Sequence, residues 1–381
     1  MTSKATVRAP TASVRSRLIA GLLTSLVTLL IVEGVGRWMF RTPYQWERRL
    51  MFFSEGHNLR NTAWGGFVYQ PHERVHARTY YLTNLDPPEP RIEYDYHFTT
   101  NAYGLVQRNE LADSKPAMLL LGDSFTEGQG AQPWFYGLEH DWPPNSPYQI
   151  VNGGIWGTGV EAWGRLYQEL STQVKIAKVV ILFISDDWAR FVWQFSPRAL
   201  ECLKAAAQCK GSEEYYGLSE DPIEAQREVS RIAQYRADYL LRLQSGTNVI
   251  SRSAVYQYLV MPQFDRLTRF RRTGSFEDRD SRQFEINKGV ATRMVTELGR
   301  DNVLFMYLPQ KDELVTGPKS LGRRANDFIR ESGFRFVDGR AQCGLSIQNF
   351  HERDGHPNES GYAKIATCVR RAIDDAFHPA R

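Results

Sequence analysis

The sequence is short of the residues and motifs that mark many metal-binding and nucleotide-binding proteins. Among 381 residues there are four cysteines, and no two of them form a Cys-x-x-Cys pair. A zinc site of the common cysteine spacing is therefore not expected. Residues 122–130 contain glycines but no Gly-Lys-Ser/Thr, which excludes a P-loop there. We expect neither a metal ion nor a cofactor.

The chain also lacks internal repeats, low-complexity tracts and runs of one charge. Its formal net charge is +4, and the basic residues are spread along its length. Without a basic run or a nucleic-acid-binding motif, DNA and RNA are not expected as partners. Hydrophobic residues make up 42% of the chain and charged residues 24%, as in ordinary globular proteins. A length of 381 residues favours one large α/β domain with additions.

One long hydrophobic run is present, at the N-terminus. Residues 1–17 form a basic tail, and residues 18–32 carry no charge. Extended to Phe40, the run is long enough for the roughly 20 residues that a membrane-spanning helix needs. No small-x-small cleavage site follows, so residues 18–40 are predicted as an uncleaved anchor rather than a removed signal. Although basic residues flank both ends, we expect the N-terminus in the cytoplasm and the rest of the chain outside.

The even number of cysteines fits an extracytoplasmic location. Cys202, Cys209, Cys343 and Cys368 are compatible with two disulfides, which persist in oxidising compartments. Cys202 and Cys209 flank a short segment and could close a small loop. The sequence leaves the pairing open.

The pattern changes at about residue 116. Residues 41–115, rich in aromatics, proline and arginine without clear periodicity, are interpreted as a lead-in or linker region. Residues 116–381 alternate short hydrophobic runs with helical stretches, which predicts a parallel sheet with helices on both faces. The candidate strands are residues 118–121, 148–152, 179–184, 302–308 and 334–337. Residues 188–282 are predicted as a helical insertion that either caps a cleft or is packing decoration.

The first candidate strand leads into the best candidate nucleophile. Four apolar residues at 118–121 are followed by Gly122 and Asp123, which tolerate tight turns, and then by Ser124. A serine on a strand-to-helix turn is commonly presented as a nucleophile in α/β enzymes. The alternative is that Ser124 is only a helix N-cap.

Two further blocks follow the next two strands. Residues 152–154, Asn-Gly-Gly, let the backbone approach a ligand closely and aim N–H groups at it. A dinucleotide site is disfavoured, because Glu161 falls where pyrophosphate would need neutral backbone. Asp186 and Asp187 end the third strand, where ligands bind in parallel sheets, although either could cap a turn.

The last block lies near the C-terminus. Pro357 biases His356 toward extended backbone, in which residues two apart point the same way. Asp354 can therefore bear on one nitrogen of His356 while the other faces the cleft. Asn358 suits the N-cap of a final helix over about 359–377.

Together, Gly122-Asp123-Ser124-Phe125, Asn152-Gly153-Gly154, Asp186-Asp187 and Asp354-x-His356 resemble the SGNH/GDSL hydrolase superfamily, over roughly residues 95–381. The anchored arrangement also resembles the bacterial extracytoplasmic branch that includes alginate O-acetyltransferases. The resemblance implies a three-layer αβα sandwich with a central parallel sheet of about five strands, and a periplasmic domain on a single-pass inner-membrane anchor. It implies Ser124 as nucleophile, His356 as general base and Asp354 as its orienting acid, with the Ser124 and Gly154 N–H groups as the oxyanion hole.

Two departures from the family pattern affect this interpretation. Asp186 stands where the family usually has an asparagine that donates to the oxyanion, and an ionised carboxylate cannot donate. Either Asp186 is protonated, or it turns away, or the backbone donors act alone. Asp-x-His replaces the more common Asp-x-x-His, a spacing also found in the acetyltransferase branch.

The expected activity is acyl transfer through an acyl-Ser124 intermediate, to water or to a sugar hydroxyl, on an acylated envelope carbohydrate or another small ester. Trp156 and Trp188, with Trp163 and Trp193, are candidates for stacking on sugar rings. The resemblance also implies partners in an envelope-polysaccharide machinery. The alternative is a membrane-anchored scaffold or glycan-binding protein with a weakened site.

Overall fold

The computed structural model describes residues 14–39, 49–54, 59–205, 207, 209, 215–245, 253, 256 and 261–377. It divides into two compact units. Residues 48–237 and 273–381 form the larger one, and residues 1–47 and 238–272 the smaller one. Parts of the predicted basic tail, anchor, lead-in region and insertion lie outside the described residues.

The smaller unit contains the apolar N-terminal helix α1 (Val14–Met39). Its stretch Leu18–Gly36 is long and apolar enough to cross a membrane or to serve as a signal sequence, and none of it is buried. Its leucines and isoleucines are therefore exposed to the surroundings rather than packed in a core, unlike those of a core helix.

A five-stranded sheet of entirely parallel strands forms the centre of the larger unit, in the order β11-β10-β8-β6-β7. The strands are β6 (Ala117–Gly122), β7 (Gln149–Gly154), β8 (Ile176–Phe183), β10 (Val303–Tyr307) and β11 (Arg335–Asp338). All five candidate strands are confirmed, with ends shifted by up to three residues. The chain goes from β6 to β7 on one side and then crosses to β8 on the other, so the carboxyl end of β6 is the topological switch point of the sheet.

Helices cover both faces of this sheet, which gives the predicted three-layer αβα architecture. Alternation along β6 places Leu119 and Leu121 in one core cluster and Met118 and Leu120 in the other. The first cluster includes residues of α4 (Val160–Ser171), α7 (Met261–Leu298) and α9 (Ser320–Glu331). The second includes residues of α3 (Phe135–His140) and α11 (Glu359–Phe377). Shorter helices are α2 (Ser124–Glu127), α5 (Pro197–Lys204), α8 (Glu313–Thr316) and α10 (Gly339–Gln342).

A second sheet comes mainly from the region interpreted as a lead-in. Its order is β5-β4-β1-β9, and β4 and β5 form a long antiparallel hairpin. The strands are β1 (Arg49–Ser54), β4 (Arg74–Leu85), β5 (Pro88–Thr99) and β9 (Tyr215–Leu218), and β2 (Leu59–Asn61) pairs separately with β3 (Phe67–Tyr69). The sequence pattern did not reveal the hairpin as two long strands, because β-bulges interrupt its alternation.

The insertion and the cysteines follow the predictions in part. Helix α6 (Pro222–Ser245) lies within the region predicted as a helical insertion. Helix α7 extends the helical region well past the expected end at residue 282. Disulfides join Cys202 to Cys209 and Cys343 to Cys368, and the second ties the segment after β11 to α11.

Candidate active site

Ser124 lies at the switch point, on the turn between β6 and α2. Gly122 is required at this turn, because a Cβ there would lie 1.8 Å from Thr126 Oγ1 and 2.7 Å from the carbonyl of Leu182. Asp123 is the N-cap of α2, and its Oδ1 accepts from the N–H of Phe125 at 2.9 Å. Ser124 is thus the first residue of the helix and not the capping residue. Among the described residues its N–H has no hydrogen-bond acceptor.

The structure brings together the three residues that the sequence singled out for acyl transfer. Ser124 Oγ lies 2.8 Å from His356 Nε2, and His356 Nδ1 is in hydrogen-bond contact with Asp354 Oδ1. That oxygen also accepts from the N–H of His356 at 2.9 Å. With Nδ1 donating to the carboxylate, Nε2 is the nitrogen that can accept the Ser124 proton. Asp354 is buried, and it forms an ion pair with His356 once the imidazole is protonated.

The segment after His356 explains how the imidazole is held. Residues Phe350 and Pro357 form an isolated antiparallel bridge that closes the loop between them. Asn358 Oδ1 accepts from the N–H of Gly361 at 3.1 Å, which is the N-cap bond predicted for the final helix. His356 is therefore fixed between a closed loop and the start of α11.

Gly154 has a different role from the one predicted. Its N–H donates to Asn152 Oδ1 at 3.0 Å and so is not free for an oxyanion. A Cβ at Gly154 would lie 2.3 Å from the N of Glu127, so glycine is needed there because β7 passes close to α2. In the loop that follows, Gly157 has a φ of +69°, and its N–H has no acceptor in the described part of the chain.

Glu127 connects the nucleophile helix to that loop. Its fully buried carboxyl group accepts from the N–H of Trp156 at 2.7 Å and from the hydroxyl of Tyr69 at 3.0 Å. Burial raises the pKa of Glu127 to about 8, against the effect of these two hydrogen bonds. Sequence reasoning missed Glu127, because a glutamate in the first turn of a helix is normally exposed.

Arg190 neutralises two acidic side chains beside the nucleophile. Its Nη1 donates to Asp123 Oδ2 at 2.8 Å and is also hydrogen-bonded to Asp187 Oδ1. The same nitrogen donates to the carbonyl of Thr158 at 3.1 Å, which holds the loop after β7 next to Asp123. Burial lowers the pKa of Arg190, but the Asp187 and Asp123 carboxylates raise this pKa by more than burial lowers it. The guanidinium therefore stays charged. Sequence reasoning missed this residue because it lies past the end of the Asp186-Asp187 block.

Asp186 points to a different set of partners. Gln310 Nε2 donates to Asp186 Oδ2 at 2.9 Å, and Lys319 Nζ lies 3.3 Å from the same oxygen. Its side chain is 44% exposed, whereas that of Asp187 is fully buried. Of the three possibilities open at the sequence level, this geometry favours an Asp186 that turns toward Lys319. It does not favour Asp186 as an oxyanion donor.

The predicted sugar-stacking role of Trp156 and Trp188 is wrong, because both are core residues. Trp156 is 3% exposed and Trp188 is fully buried, as is Trp163. Of the four tryptophans considered, only Trp193 is partly exposed. Its Nε1 donates to the carbonyl of Gly157 at 3.1 Å, so its ring lies against the loop after β7.

The described residues contain no group of three or more His, Cys, Asp or Glu side chains placed to hold a metal ion. Residues 72–76 do read His-Glu-x-x-His, a spacing that binds zinc when it lies on a helix. Here, however, β4 begins at Arg74, and His76 pairs with Asp95 on the neighbouring strand.

The fold and the site define an α/β protein with a Ser–His–Asp constellation at the switch point of its sheet. No protein-family model matches the chain, and no curated protein matches it. Solved structures similar to it include SGNH/GDSL lipases, acylhydrolases and esterases.

A lipase/acylhydrolase from Enterococcus faecalis is 13% identical, with a TM-score of 0.34, and the match covers 70% of this chain and 99% of that one. A GDSL-like lipase from Bacteroides thetaiotaomicron is 14% identical, with a TM-score of 0.34 and coverage of 70% and 93%. AlinE4, an SGNH-hydrolase family esterase, is 12% identical, with a TM-score of 0.27 and coverage of 71% and 100%.

Proposed function

We propose that this protein is a serine-dependent acyl-ester hydrolase or O-acyltransferase of SGNH type. The observation that carries the proposal is the 2.8 Å contact between Ser124 Oγ and His356 Nε2, with Asp354 on the other ring nitrogen. His356 takes the proton of Ser124 as Oγ attacks an ester carbonyl. The tetrahedral intermediate collapses to acyl-Ser124 as the alcohol leaves with a proton from His356, and water or an acceptor hydroxyl then takes the acyl group.

The negative charge of the intermediate needs hydrogen-bond donors. We assign this role to the N–H groups of Ser124 and Gly157, which have no acceptors among the described residues. Gly157 replaces Gly154, whose N–H is bound to Asn152. Loss of one such donor typically costs about 2.7–4 kcal/mol in the activation barrier. Without an asparagine at position 186, the site depends on these backbone donors.

The proposed substrate is an acylated carbohydrate of the cell envelope or another small ester. The apolar helix α1 supports a membrane-bound location, since a membrane anchor would hold the site near envelope glycans. Trp193 supports a sugar ligand, because its partly exposed ring lies beside Gly157. The domain is then periplasmic on an inner-membrane anchor, and a link to envelope-polysaccharide machinery remains part of the proposal.

The test of the nucleophile is covalent labelling. The purified full chain in detergent is treated with a fluorophosphonate, and its intact mass is compared with that of Ser124→Ala. We expect one adduct on the wild-type protein and none on the variant. Absence of the adduct on a folded wild-type protein contradicts the enzyme proposal.

The alternative function, a glycan-binding scaffold, gives a different outcome. It predicts no turnover of acetyl esters, together with glycan binding that Ser124→Ala leaves unchanged. Mass spectrometry of protein incubated with candidate acyl donors then separates hydrolase from transferase, because a transferase leaves the acyl group on an added sugar acceptor.

A further inference from the structure

A tyrosine from the β4–β5 hairpin contacts the catalytic Asp354 directly. The hydroxyl of Tyr81 on β4 donates to Asp354 Oδ2 at 2.9 Å. The other oxygen, Oδ1, serves His356. A buried carboxylate is stable only when its oxygens are hydrogen-bonded. Tyr81 therefore donates to the oxygen that His356 does not bind, and it helps to fix the plane of the carboxylate.

The same hairpin holds the backbone next to Asp354. Glu93 on β5 accepts from the N–H of Arg353 at 2.6 Å and from Arg353 Nη1 at 3.1 Å. The side chain of Glu93 is only 5% exposed, so this ion pair is shielded from water on the glutamate side. The rings of Tyr94 and His351 lie in contact, with centroids 5.0 Å apart. The loop that carries Asp354 is thus attached to the hairpin at three points.

A β-bulge accounts for the position of Glu93. The pairing of the hairpin passes from Thr79 opposite Tyr94 to Tyr80 opposite Ile92, which leaves Glu93 as the additional residue on β5. A bulge redirects side chains and is frequent next to active sites. Here it coincides with the residue that binds the backbone beside Asp354.

We propose that the β4–β5 hairpin is part of the catalytic apparatus and that Tyr81 is a positioning residue acting on His356 through Asp354. This inference rests on the proposed function. When His356 accepts the proton of Ser124, the Asp354 carboxylate stabilises the imidazolium, and the Tyr81 hydroxyl shares part of the carboxylate charge. Without that hydroxyl the carboxylate loses one of the donors that fix its plane, and more of its charge acts on His356.

The variant Tyr81→Phe tests this with p-nitrophenyl acetate as substrate. We expect kcat to fall about tenfold with little change in KM, because ground-state binding does not involve Asp354. The acidic limb of the kcat/KM profile should move to higher pH, because a carboxylate without the tyrosine donor favours the protonated imidazole more strongly.

The matched control is Tyr136→Phe. The Tyr136 hydroxyl accepts from the N–H of Thr99 at 2.7 Å, at the other end of β5 and without contact to Asp354. Tyr136 lies on α3, so the variant removes a tyrosine hydroxyl that binds the hairpin from outside, and we expect the wild-type pH profile. A Tyr81→Phe protein that is folded and has the kcat and pH profile of Tyr136→Phe overturns the proposal.

A second measurement does not depend on turnover. The proton between His356 Nδ1 and Asp354 should give a downfield ¹H resonance, assigned by its loss in His356→Gln. We expect this resonance to move in Tyr81→Phe and to stay in place in Tyr136→Phe; an unmoved resonance contradicts the role of Tyr81. If the wild-type protein forms no Ser124 adduct but the resonance still moves in Tyr81→Phe, the proposed function is refuted and the Tyr81 contact is supported.

If Tyr81→Phe does not fold, Glu93→Gln, which weakens the bond to Arg353, should give the same loss of kcat.

Discussion

Ser124 Oγ and His356 Nε2 lie 2.8 Å apart, although the two residues are 232 positions apart in the chain. The contact forms because β6 and the loop before α11 both end at the same edge of the sheet. The effects of the surrounding side chains on catalysis and on stability can each be measured.

Replacing Asp186 should have little effect on catalysis. Its carboxylate is directed to Gln310 and Lys319, so Asp186→Asn removes a partly exposed ion pair and adds no oxyanion donor. We expect kcat for p-nitrophenyl acetate within about twofold of wild type, and a stability change below about 1 kcal/mol. A tenfold or larger rise in kcat contradicts this, since it means that the side chain reaches the oxyanion.

Glu127 should make stability depend on pH. Its pKa is about 8 in the folded protein and near 4.5 when unfolded, because burial disfavours the charged form. The folded state therefore binds more protons, and stability falls as pH rises from about 4.5 through 8, by up to about 5 kcal/mol.

Glu127→Gln removes this titration and keeps an acceptor for the N–H of Trp156. The Tyr69 hydroxyl can then accept from the new amide. We expect urea unfolding between pH 5 and 9 to give a flatter pH dependence for the variant than for the wild type. Parallel curves exclude Glu127 as the titrating group.

Arg190 should stabilise the site through the buried Asp187 carboxylate. Arg190→Met leaves that carboxylate without its cation, and breaking a buried pair in this way costs about 3–5 kcal/mol. The double variant Arg190→Met/Asp187→Asn removes both charges and should recover part of the loss. Urea unfolding of both single variants and the double variant measures the coupling; additive losses exclude a direct pairing.

The Cys343–Cys368 disulfide should stabilise the protein more than Cys202–Cys209. The paired residues are 25 positions apart in the first case and 7 in the second, so the first closes a longer loop in the unfolded chain. Replacing both cysteines of a pair by alanine should cost about 3 kcal/mol for the first and about 2 kcal/mol for the second. Non-reducing unfolding curves compare the variants. Equal losses, or a larger loss for the short loop, contradict this order.

The sequence by itself determined the five parallel strands, the helices on both faces and the pairing of Ser124, Asp354 and His356. These features depend on short-range chemistry: four apolar residues make a buried strand, Gly122 permits the turn, and Pro357 extends the backbone at His356. The functional blocks follow the ends of parallel strands, and such ends meet at one edge of a sheet.

Only the tertiary structure decided which of two adjacent aspartates is buried. Asp186 and Asp187 have the same chemistry and lie on one short 3-10 turn, so their neighbours along the chain do not distinguish them. Asp187 is buried and pairs with Arg190 beside Asp123, whereas Asp186 stays partly exposed and pairs with Lys319.

The tertiary structure likewise decided the burial and the contacts of Glu127, Trp156 and Tyr81. A glutamate in a first turn, a tryptophan after a strand and a tyrosine in an irregular hairpin have no local signal for burial or for contact with the site. Their roles come from partners far along the chain: Tyr69 for Glu127, and Asp354, 273 residues away, for Tyr81. Local sequence sets which conformations each segment can adopt, but burial and pairing are properties of surfaces that meet only when the chain is folded.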